Sequence, residues 1–112
     1  LARWFNQDYL DKNPKIAEMI SRILNANNHE DFLKSYKLLS YFKDSMIAFG
    51  EISSPTLIIT GENEVGSTPK MSKDMGKVIR GSKVEIIKEG KHLCGIEFYT
   101  DVNKAFEGFI NE

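Results

Sequence analysis

Apolar positions in the first half of the chain recur at helical spacing. Those in the second half alternate between β-branched runs and helical stripes. Ile16, Met19, Ile20, Ile23 and Leu24 fall on one face of a helix, at i, i+3, i+4, i+7 and i+8. Asn13-Pro14 before them is a start signal, since Asn suits the N-cap and Pro the first helical position. Asn25 to Asn28 breaks this helix. Asn28 is predicted to cap a second one, whose first turn carries Glu30 and Asp31 where negative charge suits the dipole. Phe32, Tyr36, Leu39 and Phe42 form its stripe. A short turn of helix is predicted through Asp44 to Phe49, ended by Gly50. The opening Leu1-Ala-Arg-Trp-Phe5 is an aromatic cluster suited to packing.

The second half begins at Ser53-Ser54-Pro55. Thr56-Leu-Ile-Ile-Thr60 is a short apolar run of the kind buried on both faces of a parallel sheet. Gly61 to Ser67 reads as a polar loop, and Thr68-Pro69 repeats the cap-plus-proline signal. Met71, Met75, Val78 and Ile79 make the next stripe and are expected in the core, with Arg80 in the last turn and Gly81 as C-cap. Lys83-Val-Glu-Ile-Ile87 is a second strand. Lys88 to Phe98 is a loop holding Gly90, His92 and Gly95. Thr100 is expected to cap a last helix that buries Val102, Phe106, Phe109 and Ile110. Strand, helix, strand with short loops is a βαβ unit, which implies parallel strands and a right-handed crossover. The pattern divides the chain into a helical segment, 1–50, and an α/β segment, 51–112, with the boundary near Glu51 to Pro55.

Loops that follow parallel strands open on the same sheet edge, where α/β proteins bind ligands. The first, Gly61 to Pro69, offers carboxylates at Glu62 and Glu64. The second, Glu89 to Gly95, offers the imidazole of His92. A carboxylate that accepts from one imidazole nitrogen fixes the tautomer, and the other nitrogen then takes a proton from a nucleophile.

Ile52-x-x-Pro55-Thr-Leu-Ile-Ile-Thr-Gly61-Glu-x-Glu64, followed by Thr68-Pro69, resembles the acid-bearing segment of α/β-hydrolases. In that family a proline, an apolar strand and a glycine precede an acid three residues after the glycine. Lys83-Val-Glu-Ile-Ile-x-x-Gly90-x-His92 resembles the family's last strand and histidine loop, and Phe98 to Ile110 its closing helix. The resemblance implies Glu64 as triad acid, where the family usually has Asp, and His92 as general base. Glu62 is the alternative acid. The helical first half resembles the cap inserted before the acid strand. Trp4-Phe5, Asn13-Pro14, Tyr36 and Asp44 look most like the cap of 3-oxoadipate enol-lactonase-like hydrolases.

The resemblance implies the C-terminal part of an α/β-hydrolase acting on a small carboxylic ester or lactone. It implies neither a metal nor an organic cofactor. Gly-x-Ser-x-Gly, the nucleophile turn of the family, is absent from the 112 residues. The nucleophile and most of the sheet are therefore expected upstream of Leu1, and this segment alone is expected to be inactive. Two other readings stand beside it: a non-catalytic hydrolase-like module that binds a ligand or partner, and serine-free chemistry on the same fold. With a neighbouring strand expected elsewhere, the edge of the first strand is predicted to be bare, and the chain to self-associate through it or through uncovered helices.

Composition adds exclusions. Lys and Arg total 15 and Asp and Glu 16, a formal net charge of −1. That balance offers no basic face for nucleic acid and none for an anionic membrane. No apolar run approaches the roughly 20 residues of a membrane helix. The single cysteine, Cys94, excludes an intrachain disulfide and suits a reducing, cytoplasmic setting. It lies two residues after His92 and not on a nucleophile turn, so an inert thiol is expected. His29 among Asn27, Asn28 and Glu30 reads as a solvated helix-start residue. Lys70, Lys73 and Lys77 read as a solvated helix face. Gly61 and Gly66 lack the Lys-Ser/Thr of a phosphate loop.

Overall fold

The computed structural model describes residues 1–43 and 47–112. Three helices come first: α1 (Gln7–Lys12), α2 (Pro14–Ala26) and α3 (His29–Tyr41). A 3-10 turn at Phe49–Glu51 leads to β1 (Leu57–Gly61), α4 (Pro69–Val78), β2 (Lys83–Ile87), α5 (Cys94–Glu97) and α6 (Tyr99–Ile110). β1 and β2 form a parallel two-stranded sheet, with Leu57 opposite Lys83 and Gly61 opposite Ile87. This is the arrangement expected of a βαβ unit.

Asn28 caps α3 as expected, its side chain accepting from the Asp31 amide at 3.0 Å. Thr68 caps α4 in the same way, accepting from Met71, with Pro69 at the first position. Gly81 takes φ +74, a left-handed conformation that any side chain would strain. Asn13 behaves differently. Its side chain caps no amide of α2 and instead donates to the Tyr9 carbonyl, so it closes α1. Gly50 lies inside the 3-10 turn and does not end a helix. Asp44, in the predicted turn before it, falls outside the described residues.

The core is small and sits where the strand ends meet the last helices. Ile87, Cys94 and Val102 are buried together, and Ile59 and Phe98 pack against them. Phe5 is fully buried, and its ring stacks on Tyr9 at 5.6 Å. Several expected core positions are overturned. Met71 and Val78 are exposed, because α4 turns Ser72 and Gly76 toward the sheet; a Cβ on Gly76 would lie 2.5 Å from Val84 Cγ2. Small residues let this helix approach the strands closely, leaving larger ones at its margin. Phe106 and Ile110 are likewise exposed on α6, which buries Val102. Thr100 lies within α6 and caps nothing. β1 is less buried than its apolar run implies: only Thr60 and Gly61 are covered. β2 is its single partner among the described residues, so its other edge is bare.

Neither α2 nor α3 contains a buried residue. The α2 stripe is half-covered at Ile16 and Ile20 and open at Ile23. The α3 stripe is open throughout.

Candidate active site

Two glycines allow the acid loop and the histidine loop to meet. Gly61 ends β1 against Gly90, and a Cβ on Gly61 would sit 2.3 Å from the Gly90 carbonyl oxygen. No side chain fits there, since the obstruction is backbone. Three hydrogen bonds then stitch the loops. The Glu62 amide donates to the Ile87 carbonyl at 2.8 Å, and the Asn63 amide to the Gly90 carbonyl at 2.8 Å. The Glu89 amide donates to the Glu62 carboxylate at 2.9 Å. Glu89 itself has φ +58, in the left-handed region that costs a non-glycine residue strain. The hydrogen bond from its amide N–H to the Glu62 carboxylate helps hold that conformation.

These contacts separate the two candidate acids. Glu62 braces the turn before Gly90, whereas Glu64 reaches the imidazole. Glu64 Oε2 lies 2.5 Å from His92 Nδ1, and Glu64 Oε1 accepts from the Gly66 amide at 2.6 Å. The second contact anchors the longer arm that Glu has in place of the Asp usual in the family. Burial acts to raise the Glu64 carboxyl. The Gly66 amide, the His92 ring and the Ser67 amide outweigh it and hold the group below its ordinary value of 4.5. Glu64 is therefore an anion at neutral pH, and an anion only accepts. Nδ1 must then carry the proton, which leaves Nε2 as the free acceptor.

Exposure differs within the pair: the His92 side chain is 50% exposed and that of Glu64 6%. The carboxylate orients from inside while the imidazole faces outward, as a general base must. Thr60 Oγ1 donates to the Ser67 carbonyl at 2.8 Å and fixes the acid loop from the strand side.

The opening segment, 1–6, runs across the histidine loop. The Trp4 ring stands 5.9 Å from that of His92, tilted by 34°. The Leu93 amide donates to the Trp4 carbonyl at 3.0 Å, and Lys91 Nζ to the Ala2 carbonyl at 2.8 Å. Asn6 binds Glu97 and Glu89. None of Asn6, Glu89 and Glu97 stands out in the sequence, because partners about 80 to 90 positions apart leave no periodic signal.

The remaining candidates stay apart. Cys94 is buried and burial pushes its thiol up, the reverse of what activates a nucleophile. His29 is exposed at the start of α3, beside the exposed Glu30 and Asp31. Lys70 and Lys77 pair with Asp74 on an exposed face. Among the described residues no three His, Cys, Asp or Glu side chains gather as a metal site, and no helix is long and apolar enough to cross a membrane. A cavity of about 590 Å³ between β2 and α6 is lined by neither Glu64 nor His92. A second, of about 510 Å³, lies beside Asn6, Glu89 and Glu97.

No family model matches the chain. Over 112 residues it is 24% identical to the (E)-2-((N-methylformamido)methylene)succinate hydrolase of Acinetobacter baylyi. That alignment takes in 98% of this chain and 41% of the relative. The crystal structure of the enol-lactonase from Burkholderia xenovorans superposes with a TM-score of 0.89 at 24% identity, over 98% of this chain and 42% of that one. The chain thus spans less than half the length of either. Its helical segment, followed by strand, helix, strand and helix with parallel strands, is the C-terminal part of an α/β-hydrolase fold.

Proposed function

We propose that the chain supplies the acid and the base of a Ser-acid-His triad that hydrolyses a small carboxylic ester or lactone. The observation that carries this reading is the 2.5 Å contact between buried Glu64 and half-exposed His92. Glu64 holds the tautomer in which Nε2 is unprotonated. A serine hydroxyl brought against Nε2 loses its proton to it while the oxygen attacks the substrate carbonyl. The imidazolium that forms is steadied by Glu64 and returns the proton to the leaving oxygen. The serine, and the amides that hold the oxyanion, belong to parts of the fold beyond these 112 residues. The names of the two similar proteins, a hydrolase of a substituted succinate and an enol-lactonase, favour a small acyl substrate. Residues 1–50 are assigned to the cap over such a site and residues 51–112 to the catalytic core. No cofactor enters this chemistry.

The test begins with the reading frame upstream of Leu1. An in-frame Gly-x-Ser-x-Gly in an α/β pattern is expected. The protein carrying it should hydrolyse para-nitrophenyl acetate or a small enol-lactone. His92→Gln should then lower kcat by about 10⁶-fold, and Glu64→Gln by about 10⁴-fold. Turnover that survives in His92→Gln would sink the triad. A turn with no nucleophile at the elbow would leave a ligand-binding module as the better account.

A further inference from the structure

Among the described residues His92 makes one side-chain hydrogen bond, at Nδ1, and is half open to solvent. A ring held at one point can still swing. Its second boundary is Trp4, which belongs to a segment nearly ninety positions away in the chain. Beside buried Phe5, and the Leu93 and Lys91 hydrogen bonds to the Trp4 and Ala2 carbonyls, Asn6 helps keep that segment in place. Its backbone amide donates to Glu97 Oε2 at 3.0 Å, and its side-chain Nδ2 to Glu97 Oε1 at 2.8 Å. The two donors meet the two oxygens of one carboxylate, a paired charge-assisted arrangement. The same Nδ2 donates to the Glu89 carbonyl at 3.0 Å. Glu89 stands just before the His92 loop and Glu97 just after it. One asparagine therefore grips both ends of the loop, and the Trp4 carbonyl holds its middle through Leu93.

We propose that Asn6 and Glu97 are positioning residues, which clamp the segment 1–6 over the histidine loop and hold the imidazole between Trp4 and Glu64. The functional meaning of this clamp rests on the reading of His92 as the base; its existence does not. A loosened clamp lets Trp4 withdraw and the imidazole turn away from the line between Glu64 and the nucleophile. Misplacement of that order lowers kcat without a matching change in KM.

Trp4 is the single tryptophan of these 112 residues, and a protonated imidazole quenches indole emission. Emission of the protein followed against pH therefore reads the Trp4–His92 pair directly. Glu64 contacts the ring, and Glu97 and Lys91 bond the segment that carries Trp4, so the assignment needs variants. A single wave is expected, with emission falling on acidification; His92→Asn abolishes it and His29→Asn keeps it. Asn6→Ala and Glu97→Gln should each cut its amplitude at least two-fold under conditions where urea unfolding shows the variant folded. A merely structural role shifts the unfolding midpoint and leaves the wave intact. Should Asn6→Ala unfold, Glu97→Gln decides the matter, since it keeps the size of the side chain and one acceptor oxygen. Wild-type amplitude in a folded Glu97→Gln overturns the clamp, and so does a wave that persists in His92→Asn. The wave needs no nucleophile. A protein that carries the upstream Gly-x-Ser-x-Gly and is inactive, yet shows a full, clamp-dependent wave, would sink the hydrolase reading and leave this one standing.

Discussion

The ends of β1 and β2 and the helices α2 and α3 are organised in opposite ways. At the strand ends, backbone meets backbone at Gly61 and Gly90, and hydrogen bonds from backbone amides join the loops directly. The small core of Ile87, Cys94 and Val102 lies beside them, and Glu64 and His92 are brought to 2.5 Å. α2 and α3 carry the longer apolar stripes, and neither contains a buried residue. Order at the site is thus set by steric fit and hydrogen bonding within the second half of the chain, helped by the 1–6 segment. The hydrophobic pattern of α2 and α3 is a demand for cover that the described residues do not meet. An amphipathic face therefore marks where something must pack, while a glycine pair marks where two loops already have.

The largest expected effect breaks the first region. Gly61→Ala places a Cβ 2.3 Å from the Gly90 carbonyl oxygen and 2.7 Å from that of Lys91. Both obstacles are backbone, so relief requires the strands or loops to separate. A loss of about 3 kcal/mol or more is expected in urea unfolding, at or beyond the upper end for overpacking. The Glu64–His92 contact should be lost with it. A variant within about 0.5 kcal/mol of wild type would show that the loops are not in contact there.

Much of this was legible in the chain. The βαβ order follows from the apolar runs and from Thr68-Pro69 and Gly81, each acting through local chemistry. Glu64 and His92 follow from their places after the two strands. The misreadings share one cause, which is that periodicity gives a stripe but not its rotation. Ser72 and Gly76, not Met71 and Val78, face the sheet, because close approach favours small residues over apolar ones. Asn13 carried a cap signal but bonds the Tyr9 carbonyl one turn back, and Thr100 lies inside α6. Asn6, Glu89 and Glu97 were beyond reach, since a link between residues this far apart is visible only after folding.

The second prediction sharpens the electrostatics of the pair. Folding holds the Glu64 carboxyl below its ordinary value of 4.5. The unfolded chain therefore binds the proton more readily, so this group's stabilisation is fully present above that value. It is lost as pH falls through the lower, folded value. Glu64→Gln should cost about 1 kcal/mol at neutral pH, a charged hydrogen bond discounted for the half-exposed imidazole. It should also flatten the acid limb of the stability curve. Unfolding midpoints between neutral pH and the acid limb read both effects. An unchanged acid limb in Glu64→Gln would mean that the pair contributes nothing to folding.

The smallest effect on the folded chain is expected in the other region, and there it separates packing from association. Leu38 and Tyr41 on α3 are 74% and 70% exposed. Replacing both with lysine removes no buried contact, so unfolding should shift by less than about 0.5 kcal/mol. Apolar faces of this kind and the bare edge of β1 both invite a second chain. We propose that the protein self-associates at tens of micromolar, seen in sedimentation velocity as a concentration-dependent rise in mass. The Leu38→Lys, Tyr41→Lys variant tells the two surfaces apart. If it becomes monomeric, α3 is the contact. If association persists unchanged, the contact lies along β1, whose backbone donors and acceptors no side-chain replacement on α3 can reach. A wild-type chain that stays monomeric across the range removes the proposal, and the open stripe of α3 then awaits a different surface.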